Sequence, residues 1–333
     1  FRGGSRRNGT AAGRREAEVR TKVFVDGESG TTGLEIQGRL AGRPDIERLT
    51  IDPARRKDPA ERERLLNAAD IDVLCLPDDA AREAVAMVRR PGVRILDAST
   101  AHRTAPGWVY GLPELGRREQ IAASSRVAVP GCHATGFNVL VAPLVAGKII
   151  AADYPVCCQS VSGYSGGGRK MIARYRSGRR DGDALHSPRF YALGLCHKHL
   201  PEMRAVSGLS RPPLFTPIVG DYYRGMLVSV PLRGERMRTS MDPAALAAYY
   251  ADFYRGEPFI RVMPAGGGDA LDAGCLDAMG CNGTNRLEIF TFGHDGALLA
   301  VARLDNLGKG ASGAAVQCLN LMLGRPETEG LPA

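Results

Sequence analysis

None of the eight cysteines, at 75, 132, 157, 158, 196, 275, 281 and 318, belongs to a CxxC pair, and no spacing between them repeats. That excludes a zinc ribbon and a small disulfide scaffold, and it favours a reducing compartment, the cytoplasm. Tryptophan is nearly absent: Trp108 is the single one, and no stretch interleaves aromatic with basic residues. A nucleic-acid-binding surface is therefore not indicated, even at a formal net charge of +8. An unbroken apolar run is missing too. Residues 127–147 carry no formal charge, which is length enough for a bilayer, but Pro130, Gly131, His133, Thr135, Asn138 and Pro143 break the run. Strand, turn and helix explain it better than a membrane span.

What is present is an ordinary globular composition. The chain has 333 residues, 44% hydrophobic and 24% charged, and at about 100–200 residues per domain it predicts two domains. Half of the net charge sits in residues 1–20, where six arginines face two glutamates. No apolar period runs through this basic arm, so it is expected to be disordered, with the remnant of a transit peptide as the alternative. The 41 glycines and 21 prolines predict a turn-rich chain.

From Lys22 a short β-rich run enters a Gly-rich turn and then a weakly helical face through Leu34, Ile36 and Leu40. The alternation recurs at 47–52 with a helix near 60–69, at 71–77 with a helix near 79–89, and at 93–99. Four strands alternating with helices predict a parallel sheet covered on both faces. Beyond Tyr154 longer strand-like runs predict a second, α+β domain with a mostly antiparallel sheet, and residues 311–324 read as an apolar helix packing back onto one of the domains.

Several motifs could carry chemistry. Gly27, Ser29, Gly30, Thr31, Thr32 and Gly33 form a GxxGxxG turn between the first strand and its helix, where backbone N–H groups and the helix dipole suit a pyrophosphate. Asp52 ends the second strand and Arg55, Arg56 and Lys57 follow; cations there suit a 2′-phosphate, so NADP is expected over NAD. Cys132 lies at a Pro-Gly turn before a helix expected to begin near Thr135. A helix N-terminus should lower its pKa and make it a nucleophile. The other cysteines read mostly as inert packing residues. A base is available downstream at His197 or His199, which alternation places on one side of an extended segment, since Pro201 disfavours helix at Leu200. HxH without a third local ligand does not make a metal site. His102, His133, His186 and His294 read as ordinary polar or packed residues. Arg103 follows the fourth strand and could hold a phosphate, while Ser162, Gly163 and the glycines leading to Arg169 form a loop suited to wrapping a substrate and pairing its carboxylate.

Taken in order, GESGTTG, DASTAHR, WVYGLPEL, VPGCHATG, SGYSGGGR, HKHLPEM and DNLGKGASGAAVQCLN resemble the N-acetyl-γ-glutamyl-phosphate reductases of arginine biosynthesis, over about residues 22–325. The GxxGTTG turn is similar to the shorter of that family's two forms, and His133-Ala134 replaces the Tyr-Pro often found after the catalytic cysteine. The resemblance implies an α/β protein of the semialdehyde dehydrogenase and glyceraldehyde-3-phosphate dehydrogenase type. A Rossmann-type NAD(P)-binding domain would span 21–131 plus 304–330, and an α+β catalytic and dimerisation domain 132–303. It implies NADPH-dependent reduction of an acyl phosphate through a Cys132 thioester, with His199, or its rival His197, as acid and base. Arg103 would hold phosphate, and Arg169 with Ser162 and Gly163 would orient the substrate. A homo-oligomer, dimer or tetramer, is implied as well. The rival readings are a related aspartyl- or aminoadipyl-phosphate reductase and, in another class, a Cys-His acyltransferase, which would need no dinucleotide turn.

Overall fold

The computed structural model describes residues 20–177 and 183–333, so the expected basic arm lies outside the described residues except for Arg20. Strand β1 (Thr21–Asp26) leads into α1 (Thr31–Leu40), and β2 (Ile46–Leu49), α2 (Pro59–Ala68), β3 (Ile71–Leu74), α3 (Asp78–Met87) and β4 (Arg94–Asp97) continue the alternation. With β5 (Val109–Tyr110), α4 (Arg118–Ala123) and β6 (Arg126–Ala128) they form a parallel sheet in the order β2-β1-β3-β4-β6-β5. Local chemistry sets the boundaries. Asp58 caps α2 by accepting from the Ala60 and Glu61 amides, and Pro59 occupies the first turn, where its missing N–H costs nothing.

Next come α5 (Cys132–Ala146), β7 (Cys157–Gly163), α6 (Gly168–Arg176), β8 (Arg189–Phe190), α7 (Leu200–Ser207), β9 (Leu214–Gly220) and β10 (Met226–Arg233). The chain then forms α8 (Pro243–Phe253), β11 (Ile260–Val262), β12 (Leu287–His294), β13 (Ala297–Leu304) and α9 (Gly313–Met322). The second sheet runs β11-β12-β13-β10-β7-β9-β8; β7–β9 and β11–β12 pair in parallel and the remaining neighbours antiparallel. On β10, Met226, Val228, Val230 and Leu232 point into a core shared with α5, while the residues between them face out.

Residues 127–147 resolve into the end of β6, a turn and α5, and no helix of the described residues is long and apolar enough to cross a membrane. The last helix, α9, buries Ala314, Ala315, Cys318 and Leu319 in the core of the first domain. Between β13 and α9 the backbone makes one π turn (Gly308–Ser312). Buried Lys309 holds that turn in place, donating to Glu114 at 2.6 Å and Gln317 at 2.5 Å. The turn therefore sits at the seam between the two domains.

Candidate active site

The first βα turn has the backbone its glycines predict. Gly27 adopts φ +87°, and a Cβ on Gly33 would stand 2.5 Å from the Gly27 carbonyl oxygen. Only glycine permits this approach, which leaves the α1 N-terminus open toward a cleft lined by Gly30, Thr31, Thr32, Cys75, Leu76 and Gly168. A dinucleotide pyrophosphate fits that cradle. Asp52 turns its carboxylate back onto the Ala54 amide at 2.9 Å. Arg55 is engaged by Asp58 and Glu61, whereas Arg56 and Lys57 are exposed.

Cys132 is the first residue of α5, three residues earlier than the expected helix start. It lines a cleft of about 370 Å³ with Arg103, Ser162, Gly163, His197, Lys198 and His199. Gly131 is where the parts converge: a methyl group on it would collide with both His199 Nε2 and Arg103 Nη1. On the other flank the π turn brings Gly310 so close that a Cβ there would lie 2.8 Å from Cys132 Cβ. Cys132 is thus boxed in by two glycines, the His199 ring and the Arg103 guanidinium.

The electrostatics correct one expectation. Burial raises the Cys132 thiol to about 11, outweighing the His133 amide at the helix N-terminus and the Arg103 charge, which both lower it. The resting group is a thiol. His199 is buried, and desolvation together with the neighbouring Arg103 cation pushes it well below the usual histidine value, so it is a neutral acceptor at pH 7. Its Nδ1 is buried without a hydrogen-bond partner among the described residues.

His197 and His199 do not lie on an extended segment. They occupy a turn that runs directly into α7, with Pro201 in the first helical turn, where proline is tolerated. In that turn His197 Nδ1 accepts the His199 backbone N–H at 3.1 Å, so His197 holds the loop. His133 is a packed residue, linked to Ser160 and Tyr191, but its ring also meets His197 edge-on at 5.4 Å and lies tilted 5.5 Å from His199, and it lines the cleft.

Arg103 donates to the Val129 carbonyl at 2.9 Å and to Glu202 at 2.6 Å. Glu202, itself buried, also accepts from Tyr110 at 2.7 Å and from the Gly131 amide at 3.1 Å. One carboxylate therefore fixes the cation and the turn beneath Cys132. Glu202 escaped the sequence reading because that segment reads as extended, and because its partners Arg103, Tyr110 and Gly131 lie far from it along the chain. Lys198 and Asn306, both lining the cleft, were missed as well; Asn306 is held between Ser165 and the Gly225 amide. Arg169 is displaced from its expected place. Gly168, at φ +71°, turns α6 aside, and Arg169 donates to the Ser29 carbonyl of the first βα turn instead of entering the cleft at Cys132.

Residues 132–306 match the semialdehyde dehydrogenase dimerisation domain, and residues 54–124 the semialdehyde dehydrogenase NAD-binding domain. Aspartate-semialdehyde dehydrogenases share the fold. The Francisella tularensis structure superposes with a TM-score of 0.69 at 13% identity, covering 91% of this chain and 100% of that one. The Vibrio cholerae enzyme II gives 0.66 at 14% identity, covering 92% and 98%. Sequence relatives are much nearer. N-acetyl-gamma-glutamyl-phosphate reductase 2 of Nostoc is 50% identical over 93% of this chain and 99% of its own length. The protein of the same name from Pseudomonas putida is 48% identical over 92% and 98%. With the site built on Cys132 and His199 and relatives this similar along their whole length, the chain belongs to the N-acetyl-gamma-glutamyl-phosphate reductase family of semialdehyde dehydrogenases.

Proposed function

We propose that the protein reduces N-acetyl-L-glutamyl 5-phosphate to N-acetyl-L-glutamate 5-semialdehyde with release of phosphate, using NADPH in the cytoplasm. The observation that carries this reading is the convergence of Cys132, neutral His199 and Arg103 on Gly131, beside a Gly-rich turn shaped for a dinucleotide. Geometry replaces a bimolecular encounter, since one domain holds the cofactor cradle and the other presents the thiol.

His199 takes the Cys132 proton as Sγ bonds to the acyl carbon. The carbon–oxygen bond to phosphate then breaks and a thioester remains. Arg103 and Lys198 place positive charge where phosphate departs. Bound NADPH supplies the hydride that reduces the thioester. Protonated His199 meets the developing alkoxide and afterwards reclaims that proton as the carbon–sulfur bond breaks, which frees the aldehyde and lets Cys132 recover its proton. Ser162 and Gly163 line the remaining wall for the substrate's N-acetyl end. Gly27, Ser29, Gly30, Thr31, Thr32 and Gly33 would hold the pyrophosphate, with Arg169 closing over Ser29. Arg56, exposed beside Lys57, is the proposed cation for a 2′-phosphate, with Arg55 pinned beside it by Asp58. The outer face of the second sheet is the proposed contact in a homo-oligomer.

The test is phosphate-dependent reduction of NADP by N-acetylglutamate semialdehyde. Absorbance at the reduced nicotinamide band should rise, and it should rise more slowly with aspartate semialdehyde. No rise with either aldehyde removes the reductase reading.

A further inference from the structure

Helices α1 and α6 face each other across the seam between the domains with matching stripes. On α1 the stripe is Thr31, Leu34, Glu35 and Gly38; on α6 it is Arg169, Ile172, Ala173 and Arg176. Both follow the i, i+3, i+4, i+7 spacing that aligns four side chains on one flank. Stripes of this kind ordinarily interlock, but these flank an open-sided cavity of about 680 Å³. Leu34 is 60% exposed, and a Cβ on Gly38 would meet nothing within 4 Å. The cavity adjoins the cofactor cradle at Thr31 and Arg169 and extends from there along the outer flank of α1, while the opposite flank, through Gly33, Ile36 and Leu40, packs on the sheet.

Its charge is one-sided. Arg39, Arg169 and Arg176 have no carboxylate partner among the described residues. Arg39 donates to Ser312 Oγ, Arg169 to the Ser29 carbonyl, and the Arg176 guanidinium lies 5.0 Å from the centre of the Tyr223 ring. The lining carboxylate, Glu35, is already bound by Arg224 at 2.5 Å, which also reaches buried Asp305 at 3.3 Å. Three uncompensated guanidinium groups therefore surround an apolar floor of Leu34, Ile172 and Ala173. Guanidinium forks match carboxylate and phosphate oxygens.

We propose that this cavity is a second ligand site, for a small organic anion with at least two acidic groups on a short apolar body. Its walls belong to both domains, so an occupant clasps them together. It also shares Thr31 with the first βα turn and Arg169 with Ser29. Occupancy draws the Gly166–Arg169 loop onto that turn and lowers the KM for NADPH; by reciprocity, bound cofactor tightens the anion.

Calorimetric titration of the full chain, saturated with NADP, tests this with citrate as the carboxylate probe and inorganic pyrophosphate as the phosphate probe. At least one should bind at millimolar concentration or below, and which one binds better identifies the acidic group. Binding should weaken about tenfold in Arg176→Gln, which removes one charge-assisted contact, and vanish in Ala173→Trp, which fills the gap. Both positions are exposed, and unchanged melting temperatures will show that the variants fold. Binding of neither probe overturns the proposal. So does binding that survives Ala173→Trp, or that is weakened by Arg103→Gln and not by Arg176→Gln, since the probe then sits in the cleft at Cys132. Because the readout is binding and not turnover, its failure is distinct from failure of the reductase reading.

Discussion

At the scale of single residues, the unusual feature is a proposed nucleophile kept as a thiol. Cys132 sits where a helix N-terminus and Arg103 both favour thiolate, yet burial wins and holds it near 11. Alkylation of the free protein by iodoacetamide should therefore keep accelerating with pH up to about 11, instead of levelling off near the ordinary cysteine value. A plateau at neutral pH would show a preformed thiolate and remove the need for His199 as proton acceptor. Cys132→Ser should abolish turnover while NADPH binding, followed by fluorescence, stays intact. His199→Asn should slow kcat by about 10²–10⁴-fold, the range for acid–base groups. His197→Asn should cost less, because the His197 ring fixes the loop through the His199 amide and not through the reacting atoms. The reverse order would transfer the acid–base role to His197. Cys132 could be singled out as the candidate nucleophile because a lone cysteine at a Pro-Gly turn before a helix is locally unusual. The support beneath it was not, since Glu202 touches Arg103 and Tyr110 only after the chain has brought distant segments together.

Among the elements, β3 is the one whose composition conflicts with its position. A strand buried on both faces in a parallel sheet is normally apolar throughout, but Asp72 is fully buried in β3 and neither carboxylate oxygen has a hydrogen-bond partner among the described residues. Burial, with the Asp26 carboxylate nearby, raises it to about 8, only partly offset by Arg126 and Arg90. The native state therefore keeps a proton that the unfolded chain releases in the acid range. Its stabilising contribution is fully present below about pH 4 and is lost as pH rises toward 8. Asp72→Asn should raise the melting temperature at pH 8 and flatten the decline between the two limits, by on the order of a few kcal/mol, since a tenfold change in proton affinity is about 1.4 kcal/mol. An unaltered pH slope in that variant would mean the carboxylate finds a partner in solution. Sequence pattern identified β3 as a strand through Ile71, Val73 and Leu74 and predicted a sheet covered on both faces; it could not tell that Asp72 would be enclosed there without a hydrogen-bond partner, because the groups around it come from elsewhere in the chain.

For the whole molecule, the division of labour between two domains could be read in advance because alternating strands and helices are a local pattern, and each parallel crossover repeats it. The second sheet was harder to read. Its two ends follow the chain, as β11-β12-β13 and β8-β9, but the middle does not: β10 lies between β13 and β7, and β7 finds its parallel partner β9 only across α6, β8 and α7. That sheet leaves one feature unexplained within a single chain. Leu227, Ser229 and Pro231 on β10, with Gln159 and Val161 beside them on β7, form an outward patch without a formal charge, bordered by Arg233 at one end and at the other by Arg303, which Asp277 and Glu288 neutralise. An antiparallel sheet that faced water would carry polar and charged residues at these alternate positions. The face instead suits a second copy of itself, as an isologous contact between two flat sheets. Ser229, central on β10, is the position at which a charge would be hardest to accommodate. Ser229→Arg would set two guanidinium groups opposite one another across such a contact, so sedimentation should show the oligomer falling to monomers while the far-ultraviolet spectrum is unchanged. An oligomer that survives this substitution would place the subunit contact elsewhere on the molecule.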